Sequence, residues 1–299
     1  MAYKPSKFET VFGGDLYRLR KFFRIITSFF LALVFIKPWR LWLRDKIDDF
    51  IFWFNKNKVA YFIENYPQVR SEAETIEKLV AEKLSIARYG DGEFNMCLGR
   101  HKSFQVYDDN LVSRLKNILT SNDPKVLIGI NTIKTDDDVT RLWRKFIIRR
   151  GNRVLNLLNR DRIYESSTIT TIFPKETKAF QAHIDLLKSI WKDRKVVFVV
   201  GKNSRFFFEK ELFENISQYE FIYGPAKNAF AQYDELIQRI EGYDKDWLIM
   251  ISLGPTATVM AYDLAQKGYQ AIDLGQTPSK YHMAKYGTLY PDDHHLAKA

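Results

Sequence analysis

The chain of 299 residues holds a single cysteine, Cys97, so no intrachain disulfide framework exists and a reducing compartment is the natural setting. As a lone thiol, Cys97 reads as a buried, apolar-like side chain more readily than as a nucleophile. A membrane span is also missing: the uncharged stretch 25–36 is 12 residues long, short of the ~20 that a crossing helix needs. A signal peptide has an apolar core of that size, but no small-residue cleavage site follows, and Lys37-Pro38-Trp39-Arg40 stands in its place. Zinc-finger spacing and RNP-type aromatic runs do not occur, which argues against nucleic acid as a partner. There is no Gly-x-Gly-x-x-Gly after a strand and no Walker-type Gly-Lys-Ser/Thr, so dinucleotide oxidoreductases and P-loop NTPases both lose their main signature.

What is present is a chain with 46% hydrophobic and 15% aromatic residues, enough to fill a substantial core. The net charge of +10 is unevenly placed, with 12 Lys/Arg against 5 Asp/Glu in residues 1–60 and near balance thereafter. The same 60 residues hold 15 of the 45 aromatics, interleaved with bases as in Lys21-Phe22-Phe23-Arg24. Basic residues flanking Trp, Phe and Leu suit helices lying in the headgroup region of an anionic membrane. The competing reading is a helix pair docked on the body or at the interface of a homo-oligomer. The expectation is an amphipathic helical arm over 1–65, interrupted at Pro38, followed by one domain over 66–299.

From about residue 72 helical stretches alternate with short apolar runs. The pattern predicts strands at 84–89, 125–130, 167–173, 195–200, 220–223, 247–253 and 270–274. Helices are predicted at 72–83, 108–120, 136–159, 175–191, 204–216, 227–241 and 255–267. Such alternation implies an α/β fold, a Rossmann-like, mostly parallel sheet with helices on both faces. In such sheets ligands bind beyond the carboxyl ends of the strands, so the loops beginning at Arg88, Gly201, Gly224 and Gly254 are the places for chemistry.

Arg88-Tyr89-Gly90-Asp91-Gly92-Glu93 stands out among them. In an extended segment, residues i and i+2 share a side, so Asp91 and Glu93 are expected to converge on one cation. Gly90 and Gly92 tolerate positive φ and let an anionic ligand approach the backbone. Carboxylates suit Mg²⁺ or Mn²⁺, which keep positions open for substrate phosphates. An ordinary solvated turn is the alternative. In Gly254-Pro255-Thr256-Ala257-Thr258, Pro255 suits the first helical position, and the helix start with the Thr256 and Thr258 hydroxyls is expected to take a diphosphate. A plain Thr-capped helix is the alternative there. After Gly224-Pro225, Lys227 and Asn228 are candidates for a base or a phosphate. Asp292-Asp293-His294-His295 and His282 read more readily as surface groups than as metal ligands.

Together RYGDGE at 88–93, GPAKNAFAQYDE at 224–235 and SLGPTATVMAYDLAQKGYQAIDLG at 252–275 resemble the GT-D-type glycosyltransferases, a bacterial family first known as a domain of unknown function. The resemblance covers roughly 72–280 and leaves out the arm. It implies a Rossmann-like domain using a UDP-sugar, with an Asp-x-Glu motif on a divalent cation, here Asp91 and Glu93, considered most often to be Mn²⁺. It further implies donor contacts from Arg88, Tyr89, Gly90, Gly92, Gly201, Pro225, Lys227, Asn228, Gly254, Pro255, Thr256 and Thr258. The acceptor it implies is a glycan, lipid-linked or glycoprotein hydroxyl, and the basic, aromatic arm is expected to hold the enzyme at the inner face of the cell membrane. Two departures from the family pattern are Gly275-Gln276-Thr277-Pro278, where a Gly-His-x-Asp-x-Glu-like run is expected, and the lack of an Arg-Pro pair in 168–173. A phosphotransferase or nucleotide hydrolase, or a non-catalytic assembly protein, would use the same features.

Overall fold

The computed structural model describes residues 37–100, 104–170 and 178–297; the stretch 25–36, the rest of residues 1–36, and His101 lie outside them. The strands are β1 (Ser85–Arg88), β2 (Val126–Ile130), β3 (Glu165–Ser166), β4 (Lys195–Lys202), β5 (Gln218–Pro225), β6 (Leu248–Ser252) and β7 (Gln270–Asp273). The helices are α1 (Lys37–Phe54), α2 (Lys56–Glu64), α3 (Glu72–Ala81), α4 (Asp91–Cys97), α5 (Asp109–Leu119) and α6 (Arg141–Leu155), then α7 (Lys178–Lys188), α8 (Lys210–Phe213), α9 (Tyr233–Ile240), α10 (Pro255–Gln266) and α11 (Thr277–Tyr286).

Among the described residues the seven strands form one parallel sheet in the order β3-β2-β1-β7-β6-β4-β5. Its central strands are apolar at nearly every position because both faces are covered. Val196, Phe198, Val200, Leu248, Met250 and Ile272 face one core, while Val197, Val199, Ile249, Ile251 and Ala271 face the other. The period-2 alternation of side chains thus feeds two hydrophobic layers from one sheet. Helix α10 shows the same logic. Its Ala257, Val259, Met260, Ala261 and Leu264 are all buried, it begins with Pro255 after Gly254, and Gly268 follows its end at φ +86°.

Two compact units emerge. One contains 67–132 with 157–297 and carries the whole sheet; the other contains 37–66 with 133–156. The unit that contains α1 and α2 also takes in α6, far away in sequence. Gly151 of α6 explains part of this, since a Cβ there would lie 2.9 Å from the Phe62 ring of α2.

Several expected elements differ. The strand placed at 167–173 is a two-residue β3 followed by a 3₁₀ turn at Ser167–Thr170. There the Ser166 and Thr168 hydroxyls bond Glu72 and one another, so side-chain hydrogen bonding displaces the ladder. Its residues 171–173, and the first residues of the helix expected at 175–191, lie outside the described residues. The helix expected at 136–159 starts only at Arg141, where the Thr140 hydroxyl caps Trp143 N–H. The one expected at 204–216 shrinks to α8, because Phe206 and Phe208 turn in to pack against Phe198, the first tilted and the second edge-on. The one at 227–241 splits into a 3₁₀ turn, Ala229–Gln232, and α9.

Candidate functional site

The carboxyl ends of β1, β7 and β6 bring two of the candidate loops together. The loop after β1 does not continue as an extended segment. Asp91 and Glu93 sit in the first turn of α4, so the expected i, i+2 alternation is replaced by helical spacing. Neither Gly90 nor Gly92 has positive φ; Gly90 is extended at φ −109° and serves as the N-cap. Glu93 folds back so that its Oε2 accepts the Gly90 N–H at 2.9 Å, a capping arrangement that satisfies one of the helix's free donors. Asn95 donates to the Asp91 carbonyl and lies 3.5 Å from its Oδ2.

Behind this turn lies a residue to which sequence reading gave no role, Asp273 at the end of β7. Its Oδ1 is 3.3 Å from Arg88 Nη2; Asp273 is buried and the Arg88 side chain is 11% exposed. Arg88 Nη1 donates to Ser167 O at 2.9 Å and to the Thr170 hydroxyl. The Thr258 hydroxyl lies between the Arg88 carbonyl, 3.0 Å, and Asp273 Oδ2, 3.2 Å. That hydroxyl, expected to serve a phosphate, is thus committed to tying α10 to β1 and β7. Gly275, at φ +58°, leaves the space Arg88 fills, since a Cβ there would stand 2.2 Å from Nη2. A carboxylate closing the apolar run Ala271-Ile272-Asp273 was the signal available in the sequence.

A second cluster joins the loops after β5 and β6. The buried Gln105 donates from Nε2 to Asn228 Oδ1 at 2.8 Å and lies 3.4 Å from the Thr256 hydroxyl. Asn228 itself is left-handed at φ 53°, and its N–H donates to Phe104 O at 2.7 Å. The Phe104 ring covers Gly254, where a Cβ would be 2.8 Å away and φ is +59°. Gly201 and Pro225 meet at the neighbouring strand tips: a Cβ on Gly201 would be 2.7 Å from Ala226 Cα and 3.2 Å from the Pro225 carbonyl. Lys227 is exposed beside them. Tyr89 is not on the open side at all. Its ring is fully buried, and its hydroxyl donates to Leu115 O at 2.7 Å.

Electrostatics set the turn apart. Burial pushes the Glu93 carboxyl up to about 7, and the nearby Asp273 and Asp91 charges add to this against the Gly90 N–H, which opposes it. Burial likewise raises Asp273, opposed by Arg88. Among the described residues no three His, Cys, Asp or Glu side chains form a group that would hold a cation by themselves. Asp91 and Glu93 offer the hard carboxylate oxygens that a divalent ion such as Mg²⁺ takes alongside phosphate and water, but helical i, i+2 spacing sets the two side chains on different sides of α4. The tail candidates behave as structure: His294 stacks on Tyr290 with centroids 4.8 Å apart, and His282 Nδ1 lies 2.9 Å from Glu209 Oε2.

The Glu93 shift carries a pH signature. The fold holds its proton more tightly than the unfolded chain, where the carboxyl titrates near 4.5. Its contribution to stability is therefore complete below about 4.5 and is lost as pH rises through about 7. Without added metal, Glu93→Gln should flatten the fall in melting temperature across that window; an unchanged slope in the variant would contradict the assignment.

An open parallel sheet with acidic, basic and glycine-bearing loops gathered at its carboxyl edge defines a Rossmann-like ligand-binding protein. Comparison with known proteins gives the family. Residues 86–289 match the glycosyltransferase GT-D fold model, and the chain belongs to that family. It is 30% identical over 228 residues to "Glycosyltransferase GlyD" of Streptococcus pneumoniae, covering 74% of this chain and 28% of the relative. It is 28% identical over 235 residues to "Probable glycosyl transferase Gly" of Streptococcus gordonii, covering 76% and 34%. The chain thus spans about a third or less of these relatives' length. A solved domain of unknown function 1792, described as having a distinct glycosyltransferase fold, superposes with TM-score 0.71 at 29% identity, covering 78% of this chain and 87% of that one. A new glycosyltransferase of the same domain family from Streptococcus sanguinis gives 0.68 at 26%, covering 75% and 87%.

Proposed function

We propose that this chain transfers a sugar from a UDP-sugar to a glycan, lipid-linked or glycoprotein acceptor in bacterial surface polysaccharide or glycoprotein synthesis, with Mn²⁺ or Mg²⁺ as cofactor. The observation that carries it is the placement of Asp91 and Glu93 in the first turn of α4, beside the Arg88–Asp273 pair, at the carboxyl edge of a GT-D sheet. Asp91 and Glu93 hold the cation, directly or through water. A divalent cation held there would supply positive charge against the diphosphate leaving group as the glycosidic bond breaks and the sugar gains oxocarbenium character. The start of α10 after Gly254 faces the diphosphate with its free backbone N–H groups, while Asn228, Lys227 and the Gly201 turn border the nucleotide. Asp273 acts through Arg88 and Thr258, which it positions. The arm keeps the enzyme peripherally at the inner face of the cell membrane, where lipid-linked acceptors are assembled; among the described residues no helix is long and apolar enough to cross a membrane.

Incubation with a panel of UDP-sugars, Mn²⁺ and no acceptor tests the reading. UDP with free sugar is the expected product pair. Sugar phosphate or inorganic phosphate would point to phosphoryl chemistry, and no nucleotide binding at millimolar concentration would remove the enzymatic reading altogether.

A further inference from the structure

Helix α1 has two unlike faces. At about 100° per residue, positions 39, 42, 46, 50 and 53 fall within an arc of roughly 80°. They are Trp39, Trp42, Lys46, Phe50 and Trp53, and the four aromatics are 66%, 57%, 64% and 65% exposed. The opposite side carries the buried Asp48 and Phe52. That side is clasped by α6, which carries six Arg/Lys and no acid. Arg141 reaches Asp49 at 2.9 Å and the Asp45 carbonyl at 3.0 Å, and Lys145 reaches Asp48 at 2.5 Å. The guanidinium groups of Arg141 and Arg144 stand 5.4 and 5.5 Å from the Phe52 ring.

The three aspartates of α1 are therefore matched inside the unit. What remains on its outer surface is an aromatic stripe with Lys46 in its middle; the exposed Arg40 and Arg44 lie about 120° and 160° round the helix from its centre. Three tryptophans on one exposed face of one helix are far more apolar surface than scattered single residues account for. Trp concentrates where an apolar ring meets a polar boundary, and cations beside it favour anionic headgroups. A second copy of the chain is the poorer occupant, because a symmetric contact through the stripe brings the Lys46 charges of the two copies together.

We infer that the Trp39, Trp42, Phe50 and Trp53 stripe is the face of α1 that enters the headgroup boundary of an anionic bilayer, with α6 as the clamp that turns it outward. The inference rests on the peripheral-membrane reading above and specifies which surface performs it. At 18 residues, α1 is about 27 Å long at 1.5 Å per residue, and it lies along the surface.

Flotation of the full chain with phosphatidylcholine vesicles, with and without phosphatidylglycerol, tests it. The full chain is expected to float with the anionic vesicles. A variant with Trp39, Trp42, Phe50 and Trp53 all changed to Ala should lose about tenfold or more in partitioning with an unchanged circular dichroism spectrum, since each substitution removes an exposed ring and no core contact. Lys46→Gln should weaken binding to the anionic vesicles selectively. If the full chain floats and the aromatic variant floats equally well, the stripe is not the contact, while the peripheral reading stands through residues 1–36. If the full chain does not float at all, both fall. If the aromatic variant instead dissociates an oligomer present without vesicles, the stripe is a protein interface and the inference is overturned.

Discussion

Asp91→Asn and Glu93→Gln are each expected to lower sugar transfer by about 100-fold or more, with the fold retained. The chemistry of the loss is simple: either change replaces an anionic, hard oxygen ligand with a neutral amide, which binds a divalent cation poorly. The fold should survive because the structural duties of both residues are kept. Gln at position 93 can still accept the Gly90 N–H, as Gln does in capping boxes, and Asn95 bonds the Asp91 backbone carbonyl whatever the side chain. The measurement is kcat and kcat/KM for UDP release across a Mn²⁺ titration, alongside thermal melting. Asp136→Asn, in an exposed turn held to Arg144 at 2.9 Å, serves as the control that should leave turnover unchanged. Activity of either variant within about threefold of the parent would show that the carboxylates are a helix cap and little more, since that is only about 0.65 kcal/mol of transition-state stabilisation.

The second large effect is structural. Arg88→Met should cost about 3–5 kcal/mol, because it leaves Asp273 buried without its partner. In a unit of this size that is a drop in melting temperature of about 10 °C. The same guanidinium holds the Ser167 carbonyl and the Thr170 hydroxyl, so the turn after β3 loses its anchor as well. Adding Asp273→Leu to Arg88→Met removes the stranded charge and should recover a large part of the loss, giving a coupling energy of several kcal/mol in a double-mutant cycle. Gly275→Ala approaches the same pair from the other side: at φ +58°, with its new Cβ 2.2 Å from Arg88 Nη2, it should displace the guanidinium without altering any charge. A melting temperature for Arg88→Met within about 2 °C of the parent would mean that the pair contributes almost nothing.

The sheet was open to sequence reading because its strands are buried on both faces, which forces near-continuous apolar runs such as Val196 to Val200. Six of the seven strand positions follow from such runs, β3 being the exception, and Pro255 and Gly268 mark the ends of α10 as their backbone chemistry requires. Short elements escaped. Helix α4 has seven residues, with Gly-Asp-Gly-Glu at its start, and that composition favours a turn until the capping bond from Gly90 to Glu93 is seen. Helix α11, which begins with Thr277-Pro278, gave no periodic signal either. In the candidate site, the sequence exposed the residues that stand together in one loop, Arg88 through Glu93 and Gly254 through Thr258. It hid the pairings made across the sheet. Arg88 and Asp273 are 185 residues apart, Gln105 and Asn228 are 123 apart, and no spacing rule reaches so far. The acidic face of α1 was visible as a cluster of aspartates, yet its purpose depends on the basic α6, which enters the chain almost a hundred residues later.

The most direct test of the central claim is a crystal structure of the full chain with a UDP-sugar and Mn²⁺, with the metal located by its anomalous signal. The account predicts one cation at Asp91 and Glu93, shared with the diphosphate, and the phosphates against the start of α10. A cation bound elsewhere, or a diphosphate that leaves both carboxylates without a metal, would contradict it.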